Sequence, residues 1–201
     1  MKTVFLLAIA SGQRWSALLA LTTAPGHIRW EPSGVRLVPR AGFIAKNQLA
    51  LANGVEIIIR ALSDFSSVHE DKYWCPVRAL KWYVKRTEPL RGSDQLFLIS
   101  REPHTPASRD SISRWVVDTI QAAGPSVLSD DLAAGARPRA HDTRGVSASW
   151  ALFQGVALEE IQRAASWASS NTFISCYLRD VLAGEGSFSG ASIAAAAPAA
   201  R

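Results

Sequence analysis

Residues 139–180 read RAHDTRGVSASWALFQGVALEEIQRAASWASSNTFISCYLRD, and the spacing within them governs how the rest of the chain is read. Apolar residues recur at helical intervals in three closely spaced runs, about His141 to Gln154, Leu158 to Ser166 and Thr172 to Leu182. Gly155 stands where a helix C-cap belongs, and Ser169 or Ser170 where an N-cap belongs. His141 and Arg144 lie three apart at a helix start, so they share a face that could grip a single anion. The plain alternative is a capped helix start with an exposed arginine. Trp167 and Tyr177 follow ten residues apart, separated by a Ser-rich turn and most of a helix. A lone tyrosine on an amphipathic helix is usually half-buried packing, so neither pair decides a function by itself.

Working outward, residues 3–22 read as a helix bent or interrupted at Gly12. His27-Ile28-Arg29-Trp30 and Val35-Arg36-Leu37-Val38 are short apolar pieces around Glu31-Pro32-Ser33-Gly34, which is turn chemistry, so a β-hairpin is expected. The β-branched run from Val55 to Arg60 predicts a third strand. Pro76 opens a helix through Arg86, since proline suits a first helical turn. Leu80, Tyr83 and Val84 mark its apolar side. Arg78, Lys81 and Lys85 form a basic stripe that is either a solvated face or a contact to a DNA backbone. Leu96 to Ile99 is a short apolar piece, Arg101 to Arg109 a loop with two prolines, and Ser111 to Ala123 a helix ending before Gly124-Pro125. From Gly184 onward the chain is Gly, Ser and Ala with one Phe, a low-complexity tail.

Composition bounds the partners. The 201 residues are 48% hydrophobic and 19% charged, enough for one real core and too apolar for a disordered chain. Seven Trp exclude a coiled coil or fibre. Two cysteines, Cys75 and Cys176, make no staple framework, and four scattered His add no ligand cluster, so no metal and no cofactor is expected. No apolar run reaches the roughly 18 residues of a membrane span. Of the 22 basic residues 17 are Arg, the residue suited to bidentate phosphate contacts, and the net charge is +5. Met1-Lys2 with Val4 to Ala10 imitates an export signal, but the apolar pattern resumes at Trp15 and Ala17 to Leu21. A core helix at the start of a domain explains that pattern better than secretion.

Taken in order, these residues resemble the catalytic domain of tyrosine recombinases, the phage-integrase superfamily. Ser11-Gly12-Gln13-Arg14-Trp15-Ser16-Ala17-Leu18 is similar to the family's first box, with Arg14 at the arginine position. Lys46, after the expected hairpin, falls where the family's lysine falls; Lys72 is the other lysine between that hairpin and Pro76. His141 and Arg144 match the second box, Trp167 the His/Trp position and Tyr177 the tyrosine. The stretches Gly145 to Val156, Ala165 to Ser169 with Thr172-Phe173, and Cys75 to Leu80 resemble recombinases of DIRS-type retrotransposons.

The resemblance implies an α+β, mainly α-helical fold with a small antiparallel sheet over residues 1–182, followed by the 183–201 tail. It implies DNA strand cleavage and rejoining through a 3′-phosphotyrosyl intermediate, with a 5′-hydroxyl leaving. Tyr177 would be the nucleophile, and Arg14 and Arg144 would stabilise charge on the pentacoordinate phosphorus. Lys46 would be the general acid, His141 would assist proton transfer, and Trp167 would supply an indole donor and packing. It also implies double-stranded DNA as partner, a homo-tetramer on DNA, no membrane, and a nuclear or otherwise DNA-associated intracellular location.

Ala17 stands where the family usually has an acid, and the family's N-terminal core-binding domain has no room before Arg14. The expectation is therefore a truncated or inactive copy, or a gene whose start is assigned too late. A rival reading is a non-catalytic DNA-binding module using residues 158–178 as a helix-turn-helix, in which Arg14 and His141 have no joint role.

Overall fold

The computed structural model describes residues 1–44, 56–64, 72–122 and 139–167. The expected helix at 172–182, the tail, Lys46 and Tyr177 lie outside them. Among the described residues six α-helices and three strands run in the order α1 (Lys2–Ser11), α2 (Trp15–Leu19), β1 (Ile28–Glu31), β2 (Gly34–Leu37), β3 (Ile57–Arg60), α3 (Pro76–Thr87), α4 (Arg109–Ala122), α5 (Asp142–Phe153) and α6 (Leu158–Ala165). The described residues are thus mainly helical with one small sheet, as the sequence predicts.

The strands form an antiparallel sheet in the order β1-β2-β3. Ile28 pairs with Leu37 and Glu31 with Gly34 across the hairpin, and Gly34 to Leu37 then pair with Arg60 to Ile57. A Cβ at Gly34 would lie 2.3 Å from the Ile59 carbonyl oxygen, so the approach of β3 requires glycine there. Strand alternation turns Val35, Leu37, Ile57 and Ile59 into the core, while Ile58 and Arg60 face out. On the solvent face Arg36 bonds both Glu31 and Glu56, which holds its guanidinium above the usual arginine range.

The main core gathers Val4, Leu7, Leu18, Leu21, Val35, Leu37, Leu80, Leu96, Phe97 and Ile112. α1 is apolar on every side because it is wrapped, packing against α3, α4 and α5. The short apolar piece at 96–98 is buried and bridges outward at Thr22–Gln95 and Leu98–Pro106. A second, smaller cluster of Ala148, Ile161, Ala165 and Trp167 joins α5 to α6.

The starts of α4 and α5 differ from expectation for identifiable reasons. α4 begins at Arg109, two residues early, because Ser108 is its N-cap: its Oγ accepts from Ser111 N at 3.2 Å. α5 begins at Asp142, whose Oδ2 accepts from Arg139 N at 2.6 Å, leaving His141 as the cap residue in the preceding turn.

Candidate active site

The site begins at the end of α1. Gly12 takes the left-handed conformation (φ 58°) and its N–H donates to Ala8 O, which stops the helix. The turn that follows places Gly12 and Gln13 against α5 and α6. Gln13 is buried, and its amide Nε2 donates to Ala164 O at 2.6 Å and to Ser166 Oγ at 3.0 Å. Ser166 is itself left-handed (φ 53°) at the end of α6. One glutamine therefore joins the C-termini of two helices that are far apart in sequence.

α5 is fastened to the same turn from the other side. Arg144, in its first helical turn, donates from Nη1 to Gly12 O at 2.9 Å, and Ser147, one turn on, donates to Ile9 O at 2.5 Å. Those carbonyls belong to the last turn of α1 and to its cap residue Gly12, at the helix end whose oxygens lack partners within the helix and carry partial negative charge. A guanidinium there satisfies one of them and complements the helix dipole. Arg144 is only 2% exposed, and its Cζ lies 4.7 Å from the ring centroid of Trp167, which is also buried. A charged hydrogen bond of this kind contributes about 1.5–3 kcal/mol, and the ring contact about 0.5–2 kcal/mol, against the cost of removing the cation from water.

The expected residues are thus placed as follows. Arg144, Trp167 and the first-box turn come together. The alternative of an exposed arginine is wrong, since Arg144 is the largest fully buried side chain among the described residues. His141 is exposed at the entrance to α5, and its carbonyl accepts from Arg144 N at 3.1 Å. Arg14 is half-buried and caps α2 in an extended conformation (ψ 148°), its carbonyl accepting from Ala17 N at 2.9 Å. Two residues span at most about 7 Å, so the Arg14 backbone lies close to the Gly12 carbonyl that Arg144 grips. Beside it, Arg109 from the start of α4 stacks on Trp15, with Cζ 4.1 Å from the ring centroid. Ala17 is 2% exposed in the main core, so an acid at that position would stand in apolar surroundings.

Gln13 and Ser147 were not singled out by sequence reasoning. Their partners are backbone carbonyls 151 and 138 residues away, and no local pattern signals such a contact. Among the described residues no group of three His, Cys, Asp or Glu could hold a metal ion, and no helix is long and apolar enough to cross a membrane.

No protein-family model and no curated protein matches the sequence. Solved structures do match the fold. The crystal structure of XerA recombinase is similar over 88% of this chain and 54% of its own, with a TM-score of 0.55 and 19% identity. The XerH site-specific recombinase bound to its difH substrate, in a pre-cleavage complex, is similar over 86% of this chain and 40% of its own, with a TM-score of 0.58 and 15% identity. Its post-cleavage complex on palindromic difH gives the same TM-score of 0.58 at 14% identity. The chain spans about half or less of the length of these proteins. The mainly helical architecture with its three-stranded antiparallel sheet is a fold similar to that of these recombinase structures.

Proposed function

We propose that this chain cleaves and rejoins DNA strands as a tyrosine recombinase, with Tyr177 as nucleophile and a 3′-phosphotyrosyl intermediate. The observation that carries the reading is the 2.9 Å bond from Arg144 Nη1 to Gly12 O. It draws the second box onto the turn that bears the first, where Arg14 follows two residues later, and Trp167 lies against the same guanidinium. An unrelated helix-turn-helix module would have no reason to bury an arginine at that junction.

In this reading Arg14 and Arg144 offer forked N–H donors to the non-bridging oxygens of the scissile phosphate. Each preorganised donor of this kind contributes about 3–4 kcal/mol as charge grows on phosphorus. Arginine serves because one nitrogen can hold Gly12 O while others face the phosphate; a lysine amine lacks that planar fork. Arg144 is almost fully buried, so phosphate entry requires displacement of what covers it, and Trp167 is the described ring over it. His141, exposed at the α5 entrance, assists proton transfer at the nucleophile. Lys46 protonates the leaving 5′-oxygen. Attack by the tyrosine oxygen forms one phosphodiester bond and breaks another, so rejoining needs no added energy source.

The finer reading is a recombinase of the DIRS retrotransposon type, acting on double-stranded DNA as a tetramer in a DNA-associated compartment. It rests on the likeness of Gly145 to Val156, Ala165 to Ser169 and Cys75 to Leu80 to that group. Incubation with nicked suicide DNA tests the chemistry: the wild type should accumulate a covalent protein–DNA adduct and Tyr177→Phe should not. Wild-type protein that binds the DNA and forms no adduct overturns the proposal.

A further inference from the structure

The end of α1 remote from Gly12 carries a second concentration of chemistry. α1 has ten residues, so its start stands about 15 Å along the axis from the candidate site. There α3 crosses it, with Thr3 Oγ1 donating to Ala79 O at 3.5 Å. On α3, Arg78, Lys81, Trp82, Lys85 and Arg86 fall at i, i+3, i+4, i+7 and i+8, which is one helical face, and all five are exposed. The opposite face, with Leu80 fully buried, is committed to the core.

This face is neither an ordinary solvated one nor a simple apolar patch. Solvated helix faces commonly mix charge signs, yet residues 73–87 hold four basic side chains and no Asp or Glu. Large rings stand among the cations: Trp74 is 62% exposed, Trp82 60% and Tyr73 57%. Arg86 Cζ lies 4.9 Å from the Trp82 centroid, and Lys2 Nζ lies 5.6 Å from Trp74 and 6.0 Å from Tyr73. Each ring is therefore held beside a cation while more than half of its surface remains open to solvent.

We propose that this face binds a segment of single-stranded nucleic acid, its bases stacking on Trp82 and Trp74 and its phosphates meeting Arg78, Lys81, Lys85 and Lys2. A helix face whose charged residues, Arg78, Lys81, Lys85 and Arg86, are all positive calls for a polyanion, and interleaved open rings call for one with flat faces to stack. A duplex keeps its bases stacked on one another and leaves those rings unused. An acidic peptide or an anionic lipid surface would engage the cations but give the rings no stacking partner. The inference does not depend on cleavage at Tyr177, because it concerns the other end of α1.

The test uses the full chain with a dye-labelled oligo(dT) of about 15 nucleotides and a hairpin duplex of equal charge. The expected result is tighter binding of the single strand, with quenching of tryptophan fluorescence. Trp82→Ala should weaken single-strand binding about tenfold, in the range of one lost stacked base, without shifting the urea midpoint. Lys81→Glu with Lys85→Glu should weaken it and flatten its salt dependence. The proposal is overturned if Trp82→Ala and Trp74→Ala both leave oligo(dT) affinity unchanged. It is equally overturned if polyglutamate or phosphatidylserine vesicles compete as well as the oligonucleotide at equal charge.

Discussion

Replacing Gln13 by Leu probes the junction on which the candidate site depends. The side chain makes two hydrogen bonds, to Ala164 O at 2.6 Å and Ser166 Oγ at 3.0 Å, and is 5% exposed. Two neutral bonds at about 1 kcal/mol net give a loss of about 2 kcal/mol. Ala164 is exposed, so water can reach its freed carbonyl and the further cost of a dry orphan acceptor does not apply in full. Extra apolar burial by leucine returns up to about 0.8 kcal/mol per methylene, leaving a net loss of about 1–2 kcal/mol. For a domain of this size that is a fall in Tm of about 2–8 °C. Urea unfolding followed by far-ultraviolet circular dichroism reads the difference directly.

Gln13→Glu sharpens the same test, because a carboxylate cannot donate to Ala164 O. Its folded-state pKa should be raised by that carbonyl. The variant should therefore be most stable below the unfolded carboxyl range near 4.3 and lose stability as pH rises through the folded value. Gln13→Leu within 0.5 kcal/mol of wild type, together with a Glu variant showing no such pH dependence, would refute the reasoning.

Three further outcomes follow from the same structure. Arg144→Lys keeps the charge but cannot hold Gly12 O and a phosphate together, so strand cleavage should fall about 100- to 1,000-fold while the protein still folds; cleavage within threefold of wild type contradicts the role. Gly34→Ala drives a Cβ into the Ile59 carbonyl at 2.3 Å, so the hairpin should separate from β3 and amide exchange over Ile57–Arg60 should quicken sharply; unchanged protection there would contradict the register. Burial pushes the Tyr83 phenol above its usual range, while the bond from Leu98 N and nearby Arg91 pull the other way. A raised folded-state pKa means stability is held below about pH 10 and lost as pH rises through the folded value, so Tyr83→Phe should flatten the alkaline decline in Tm.

Much of the architecture was legible because it rests on local chemistry. Pro76 announced α3 and Gly12 the end of α1. The Glu31–Gly34 turn marked the hairpin, and the β-branched run around Ile58 marked β3. The start of α4 was missed by two residues because Ser108 caps it with a contact that a scan for the first apolar residue passes over. The site was legible in order but not in arrangement. Arginine in a first helical turn reads as surface, since arginine is almost never fully buried without a partner. The partner of Arg144 is a backbone oxygen that sequence spacing cannot show. Gln13 was silent for the same reason, an unremarkable polar residue whose role lies in carbonyls of a distant helix.

The most direct measurement is the identity of the residue that becomes joined to DNA. The chain has three tyrosines, Tyr73, Tyr83 and Tyr177. After reaction with suicide DNA, nuclease trimming and proteolysis, mass spectrometry should find the nucleotide adduct on the peptide containing Tyr177 alone. An adduct on Tyr73 or Tyr83, or none from protein that binds the substrate, would contradict the account.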